Sequence, residues 1–260
     1  MYADTHCHLD FDVFDAKLPS IIDEMRKDKL GFVVIPSVGV SNFEKVEKLC
    51  AHYGQLYMGL GLHPYFINEH TDEDLAELEQ SLDRLLSAGG SKLVAVGEIG
   101  LDATCPDIDR QQHLFESQLR LARKHCLPVM VHSRKCNERM FKCLAESKVE
   151  SGVIHAFSGS YELLMRYISL GFKIGVGPVI TWPGATKTRD AVSRAPLESL
   201  VLETDAPGMY ISGSSESEAS PLDVLSVFRE LLGIRSESEA VLRDSLWWQS
   251  KDLFGIDIHR

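Results

Sequence analysis

The stretch YADTHCHLDF, residues 2–11, starts apolar and ends in a histidine pair rather than in glycines. The first strand of an open, doubly wound α/β sheet would run into a glycine-rich turn that cradles phosphate at a helix N-terminus. THCHLDFD, residues 5–12, has no glycine. It carries His6 and His8 instead, two residues apart. On a β-strand, residues i and i+2 face the same side, so the two imidazoles aim at one point while Cys7 faces away. Two nitrogens on one point suggest a metal, although histidine pairs also occur on solvated surfaces and in hydrogen-bonded cores.

Moving outward, short β-like runs recur with a beat: GFVVIPSV (31–38), QLYMGLGL (55–62), KLVAVGEIG (92–100), LPVMVHS (127–133), SGVIHAF (151–157), GFKIGVG (171–177) and SLVLETD (199–205). With the opening strand they make eight. Between them lie helical spacings such as Leu18, Ile21, Ile22 and Met25, or Leu75, Leu78, Leu82 and Leu85, or Leu114, Leu119, Ala122 and His125. Val- and Ile-rich strands, each followed by an amphipathic helix, predict parallel pairing with right-handed crossovers. Eight such units in about 250 residues is the size of a closed (β/α)8 TIM barrel. No repeat or linker divides the chain, so one α/β domain over residues 1–260 is expected. PVITWPGATKTRD (178–190) and PGMYISGSSESEASP (207–221) break the beat and read as rim loops, the second as a mobile one. From Pro221 onward the chain reads as two helices, the last packing through Leu246, Trp247, Leu253 and Phe254.

The bulk composition excludes several classes. With 44% hydrophobic and 25% charged residues in 260, the chain is an ordinary globular protein. No run has the length of a membrane span and no basic leader precedes an apolar core, so a soluble, cytoplasmic protein is expected. The 6 cysteines lack CxxC spacing, which argues for free thiols and against zinc fingers. A net charge of -11 argues against a protein that coats nucleic acid through a broad basic face. It leaves open an enzyme that meets a phosphodiester through bound cations.

In a barrel, side chains at the C-terminal ends of the strands converge on one mouth. His6 and His8 stand there after the first strand, His63 after the third, Glu98 on the fourth, His132 on the fifth, His155 after the sixth and Asp205 after the eighth. Each alone has a plain structural explanation as a loop anchor or turn cap. Together they are five histidines and two carboxylates at one level, and burying so many polar groups without partners would cost several kcal/mol. Imidazoles and carboxylates without thiolates suit zinc, manganese, iron or magnesium, and the set is too large for one tetrahedral ion. Two divalent ions about 3.5–4 Å apart activate water and stabilise charge on a phosphoryl or carbonyl oxygen.

DTHCHLD, GLHP, VGEIGLD, PVMVHSR, VIHAFSG and LETDAP, in that order over residues 4–207, resemble the motifs of the TatD family of metal-dependent deoxyribonucleases, amidohydrolase-like TIM barrels, and in particular its YjjV-like branch. The resemblance implies two divalent metal ions (zinc, manganese or magnesium), with His6 and His8 on one, His132 and His155 on the other and Glu98 bridging them. Asp205 would complete the first site and orient or deprotonate the attacking water, making Asp205 and Glu98 the catalytic carboxylates. His63 matches a family position that is not a usual ligand and is assigned to substrate contact or to support of the ligands. The implied reaction is phosphodiester hydrolysis by a metal-bound hydroxide, with DNA as the substrate expected and no obligate protein partner.

The chain departs from the family after GLD, where it reads ATCPD, and after TDAP, where it reads GMYISGSSESEASP. These departures spare the metal chemistry and bear on the substrate; the acidic SSESE would repel a long polyanion. Arg134 suits a phosphate oxygen or a surface salt bridge, and Lys187 and Arg189 suit a nucleic acid backbone or simple solvation. Trp182 suits base stacking or packing under its loop. Cys7 reads as a core thiol, and Trp247 and Trp248 as packing residues of the final helix. Two other functions share the same residues: an amide, lactone or other carbonyl-ester hydrolase on the same metals, and a metal-binding interaction protein that uses the rim loops.

Overall fold

A computed structural model describes residues 1–214 and 219–257 of the chain. Eight strands are present: β1 (Tyr2–Asp4), β2 (Leu30–Pro36), β3 (Leu56–Leu60), β4 (Leu93–Asp102), β5 (Val129–Arg134), β6 (Gly152–Ile154), β7 (Phe172–Val176) and β8 (Leu200–Leu202). The helices between them are α1 (Leu18–Lys27), α2 (Val40–His52), α3 (Asp72–Ser87), α4 (Ile108–Lys124), α5 (Asn137–Ser147), α6 (Tyr161–Ser169) and α7 (Thr186–Arg194). Two more, α8 (Val224–Ile234) and α9 (Glu239–Phe254), follow the last strand. The strand order is that of the chain, β1 to β8, as expected of a (β/α)8 fold. Every expected strand forms, mostly a few residues shorter than its apolar run. The run outlasts the strand because residues just beyond it stay buried while leaving the ladder, as His6, His155 and Glu203 do.

The chain divides into two compact units, Met1–Ile35 with His155–Arg260, and Pro36–Ile154. In the first, β1 pairs parallel with β2 and β7 with β8. Past the end of β1, Thr5 N–H and Thr5 Oγ1 both donate to Leu202 O at 2.9 Å, and His8 N–H donates to Ala206 O at 2.8 Å. The chain leaving the first strand is thereby laced to the chain leaving the eighth. Helix α1 buries Leu18, Ile21, Ile22 and Met25, the stripe that its 3.6-residue period requires. On α9, Trp247 is buried and packs on Phe32 with ring centroids 5.3 Å apart. Trp248 is 53% exposed and lies under Lys251 instead. Neighbouring helical positions point about 100° apart, so only one of the two tryptophans packs in the core, contrary to the sequence expectation.

In the second unit, β3, β4, β5 and β6 pair parallel in succession. All ten residues of β4 are buried, as befits a strand covered on both faces. Helix α3 starts with Thr71 as N-cap and Asp74 reaching back to the Thr71 N–H, which satisfies two donors that a helix start leaves open.

The two stretches expected as rim loops are only partly loops. Pro178–Thr181 forms a 3-10 turn and Thr186–Arg194 is already α7; the proline and glycine that signal a turn occupy the short approach to that helix. Residues 207–214 are irregular. Most of the acidic SSESE run, expected to be mobile, lies outside the described residues.

Candidate metal centre

In the first unit, the polar residues stand on chain that has just left its strand. His6 and His8 follow β1, His155 follows β6, and Glu203 and Asp205 follow β8. They are therefore not fixed by the ladder, and a buried carboxylate does that work. Asp4 Oδ1 accepts from His6 N–H at 3.1 Å and from Thr204 N–H at 3.0 Å, while Oδ2 accepts from Thr204 Oγ1 at 2.6 Å. Asp205 N–H donates to His6 O at 2.8 Å, so the two segments are registered to each other.

Three imidazoles then surround one carboxylate. His6 Nε2 and His8 Nε2 lie 3.6 and 3.5 Å from Asp205 Oδ1, and His155 Nε2 lies 3.7 Å from Oδ2. These separations exceed a good hydrogen bond. They are near the about 3.4 Å between neighbouring ligands of a tetrahedral ion with bonds of 2.0–2.1 Å. The ligand atoms of His6, His8 and Asp205 all fall within 4.8 Å of one another, as do those of His6, His155 and Glu203. The donor set, imidazole nitrogens and carboxylate oxygens without thiolate, fits a divalent ion. Ring contacts hold the donors in place: His6 stacks on His155 at 3.6 Å, and His8 stacks on Phe11 at 4.9 Å. Burial pushes the Asp205 carboxyl up, but His155, His8 and His6 outweigh it, and the group sits below the ordinary carboxylate range. Asp205 also has φ of +55°, a left-handed conformation that aspartate tolerates better than most residues.

In the second unit the strands themselves carry the site. Between β4 and β5 the register passes from Val96↔Val129 to Ile99↔Val131, so β4 has one extra residue across Gly97 and Glu98. A bulge of this kind re-aims a side chain, and here it turns Glu98 into the cluster with His63 and His132. Glu98 Oε1 lies 2.9 Å from His63 Nε2 and 3.1 Å from His132 Nδ1. Tyr65 N–H donates to His63 Nδ1 at 3.0 Å, which makes Nδ1 the acceptor and leaves the proton of a neutral His63 on Nε2, directed at Glu98. His63 is thus arranged as a donor to the Glu98 carboxylate. On the other side of His132, Nε2 lies 3.1 Å from Asp102 Oδ2. Asp102 is fully buried; burial raises its pKa, yet the hydrogen bonds from His132 and Thr104 prevail and hold it well below the usual value.

Sequence reasoning missed Asp4, Asp102 and Glu203, though each lies inside or beside a quoted motif. A carboxylate within an apolar strand run was the available signal. It missed Gln111 and Gln118 on α4 altogether. Gln111 accepts from Asp102 N–H at 2.8 Å and donates to Asp102 O at 3.1 Å, and Gln118 brackets Leu62, next to His63, at 2.7 and 3.2 Å. Seven residues apart, they lie on one face of the helix.

Of the secondary candidates, Arg134 ends β5 with its side chain exposed. Arg189 donates to Ile180 O and pairs with the Glu230 carboxylate, so its charge is engaged within the fold; Lys187 is exposed. Trp182 is 48% exposed, with its indole N–H donated to Tyr210 O at 3.0 Å. Cys7 is buried, as expected, and its thiol donates to Ala206 O.

The sequence model of the TatD related DNase family matches residues 3–255. The chain belongs to the TatD family. It is similar to the uncharacterized metal-dependent hydrolase YjjV of Escherichia coli K12, at 38% identity over 98% of each chain. The crystal structure of that TatD homologue superposes with a TM-score of 0.94. It is also 30% identical to the deoxyribonuclease TATDN3 of Homo sapiens, over 79% of this chain and 78% of that one. As a TatD protein it has the (β/α)8 TIM-barrel fold and is an enzyme, a metal-dependent hydrolase acting on ester bonds. Among its described residues no helix is long and apolar enough to cross a membrane.

Proposed function

We propose that this TatD protein is a phosphodiesterase, with DNA as its substrate class, that works as a single domain through two divalent cations (zinc, manganese or magnesium). The observation that carries the reading is the convergence, within each unit, of imidazole and carboxylate ligand atoms to within 4.8 Å. Following the order of the family motifs, His6, His8 and Asp205 hold one cation, His132 and His155 the other, and Glu98 is shared. When bound, such a pair supplies an acidified water and neutralises charge on phosphoryl oxygens.

The protein's own groups supply the rest. Asp205, held ionised by the surrounding imidazoles, accepts the proton of the attacking water. His63 donates its Nε2–H to Glu98 and keeps that carboxylate charged and oriented. Arg134 offers a planar guanidinium to a non-bridging phosphate oxygen. The deoxyribonuclease named among the relatives supports DNA over other phosphodiesters.

The test is hydrolysis of labelled single-stranded DNA and of bis(p-nitrophenyl) phosphate by chelated protein resupplied with manganese, magnesium or zinc. Metal-dependent cleavage is expected, with a fall of at least about 10³-fold in Asp205→Asn. Activity confined to carboxylic esters or amides would overturn the reading.

A further inference from the structure

The two exposed tryptophans differ in what meets them. Trp248 lies under Lys251 on α9. Trp182 is 48% exposed, and among the described residues no aromatic ring or cation stacks on it. Leaving that much indole in water forgoes the gain of burying it, yet the chain around it is firmly held. Trp182 N–H donates to Val179 O at 3.2 Å, and its carbonyl accepts from Ala185 N–H at 3.0 Å. Just before it, Thr181 Oγ1 donates to Pro178 O at 2.7 Å and accepts from Ser212 N–H at 2.8 Å, while Arg189 donates to Ile180 O. The ring is fixed as well, because its indole N–H donates to Tyr210 O at 3.0 Å. An in-plane hydrogen bond of this kind uses the edge of the ring and neither π-face.

The anchor also sets where the ring stands. Trp182 is on the chain leaving the C-terminal end of β7, the end at which barrel sites are built. Tyr210 is on the segment leaving Asp205, whose carbonyl accepts from Gly208 N–H at 2.8 Å and Met209 N–H at 3.2 Å. Two residues of extended chain, Met209 and Tyr210, span at most about 7 Å, so the indole edge lies within about 13 Å of the Asp205 carbonyl. Tyr210 and Ser212 belong to the GMYISG run that departs from the family motif, so the hold on the ring is a feature of this chain. We infer that Trp182 is a stacking platform for one nucleobase of the substrate, a nucleotide or two from the reacting phosphate. Within the phosphodiesterase reading, on which this rests, Trp182 grips a base while the clusters meet the phosphate. Every base has a π-face, so such a platform distinguishes a base from its absence rather than one base from another. Ring and loop are ordered before substrate arrives, which spares ordering entropy on binding. Trp182 touches no reacting atom, so its contribution falls on KM and not on kcat.

The test moves an abasic tetrahydrofuran residue along a labelled single-stranded oligonucleotide and follows cleavage by metal-supplied wild type, Trp182→Phe and Trp182→Ala. In the wild type, loss of the base at one position near the cleaved bond is expected to raise KM about 5–150-fold at nearly constant kcat. A KM that is flat across all positions would overturn the proposal without recourse to any variant. Trp182→Ala should raise KM by a like factor on the base-bearing oligonucleotide and lose nothing further on the sensitive abasic one, since both changes delete the same contact. Trp182→Phe keeps a π-face while giving up the bond to Tyr210 O, and should fall between the two. Wild-type KM in Trp182→Ala would mean that no base rests there. Equal losses on base-bearing and abasic strands would make Trp182 a support for its loop, which also overturns the proposal. Both results leave metal-dependent cleavage by the wild type, and with it the phosphodiesterase reading, intact. A wild type that cleaves no oligonucleotide would strike that reading and the platform together.

Discussion

In the unit formed by Met1–Ile35 and His155–Arg260, the cluster residues His6, His8, His155, Glu203 and Asp205 all lie beyond the ends of their strands. In the Pro36–Ile154 unit, Glu98, Asp102 and His132 lie within β4 and β5, and only His63 has left its strand. The second cluster therefore inherits its geometry from the hydrogen-bond ladder, refined by a bulge at Gly97–Glu98. The first has no ladder to lean on and is held by side-chain to backbone bonds centred on Asp4. Ladder-borne residues are placed by backbone geometry and fail when the backbone is obstructed. Clamp-borne residues are placed by one buried polar group and fail when that group is lost.

The sharpest way to break this contrast is Gly100→Ala. Gly100 pairs with His132 across β4 and β5, has φ of +152°, and a Cβ there would fall 2.0 Å from the His132 carbonyl oxygen. Backbone on both sides leaves nothing flexible to yield, so a loss of about 4 kcal/mol or more is expected, read as a lowered urea midpoint at constant m. A loss within about 0.5 kcal/mol, the range of a surface substitution, would show that the β4–β5 backbone is not the rigid support of Glu98 and His132.

Asp4→Ala probes the other cluster. It removes the acceptor for three donors, His6 N–H, Thr204 N–H and Thr204 Oγ1, all buried. Stranding such groups costs about 1–3 kcal/mol apiece before water or relaxation relieves them, and a net loss of about 3 kcal/mol is expected in the same urea experiment. Asp4→Asn keeps one acceptor oxygen and should recover part of it. If both variants unfold like the parent, the lacing of the first strand to the eighth through Thr5 and His8 backbone bonds carries the cluster without Asp4.

The same contrast explains what could be read in the sequence. Strands announce themselves by Val- and Ile-rich runs, and so all eight were legible, as were Glu98 and His132, which those runs contain. His6, His8, His155 and Asp205 were legible because they are histidines or an acid placed just past such a run, and their motifs are specific to the family. The opening inference that His6 and His8 alternate on a strand reached the right cluster by a wrong route, since β1 ends at Asp4 and the pairing of both rings with Asp205 comes from the turn beyond it. Asp4, Asp102 and Glu203 were hidden because a carboxylate's partners are far apart in the chain: Asp4 and Thr204 are 200 residues apart. Gln111 and Gln118 were hidden more deeply, since a glutamine on an amphipathic helix looks like solvent-facing surface until it meets a backbone.

A smaller effect tests whether polar clamping is general to the first unit. Beyond α7, Arg235 donates through one guanidinium nitrogen to Val192 O at 2.6 Å and Ala195 O at 3.0 Å, and pairs with Glu237 at 2.6 Å. Its side chain is 5% exposed, whereas the second unit's Lys124–Glu79 and Arg84–Glu47 pairs involve cations that are half exposed. The hydrogen bond from Arg235 holds the Glu237 carboxyl below its ordinary value of 4.5. The folded state then binds fewer protons than the unfolded chain around that pH, so this contribution is fully present above the unfolded value and disappears as pH falls through the depressed one. Glu237→Gln should therefore cost under about 1 kcal/mol at neutral pH and flatten the acid limb of stability, converging with the parent once the parent's Glu237 carboxyl is protonated in both the folded and the unfolded state. Parallel curves across that limb would mean that Arg235 gains all its hold from the two carbonyls that end α7, and that in this unit backbone acceptors, rather than paired charges, complete the clamp.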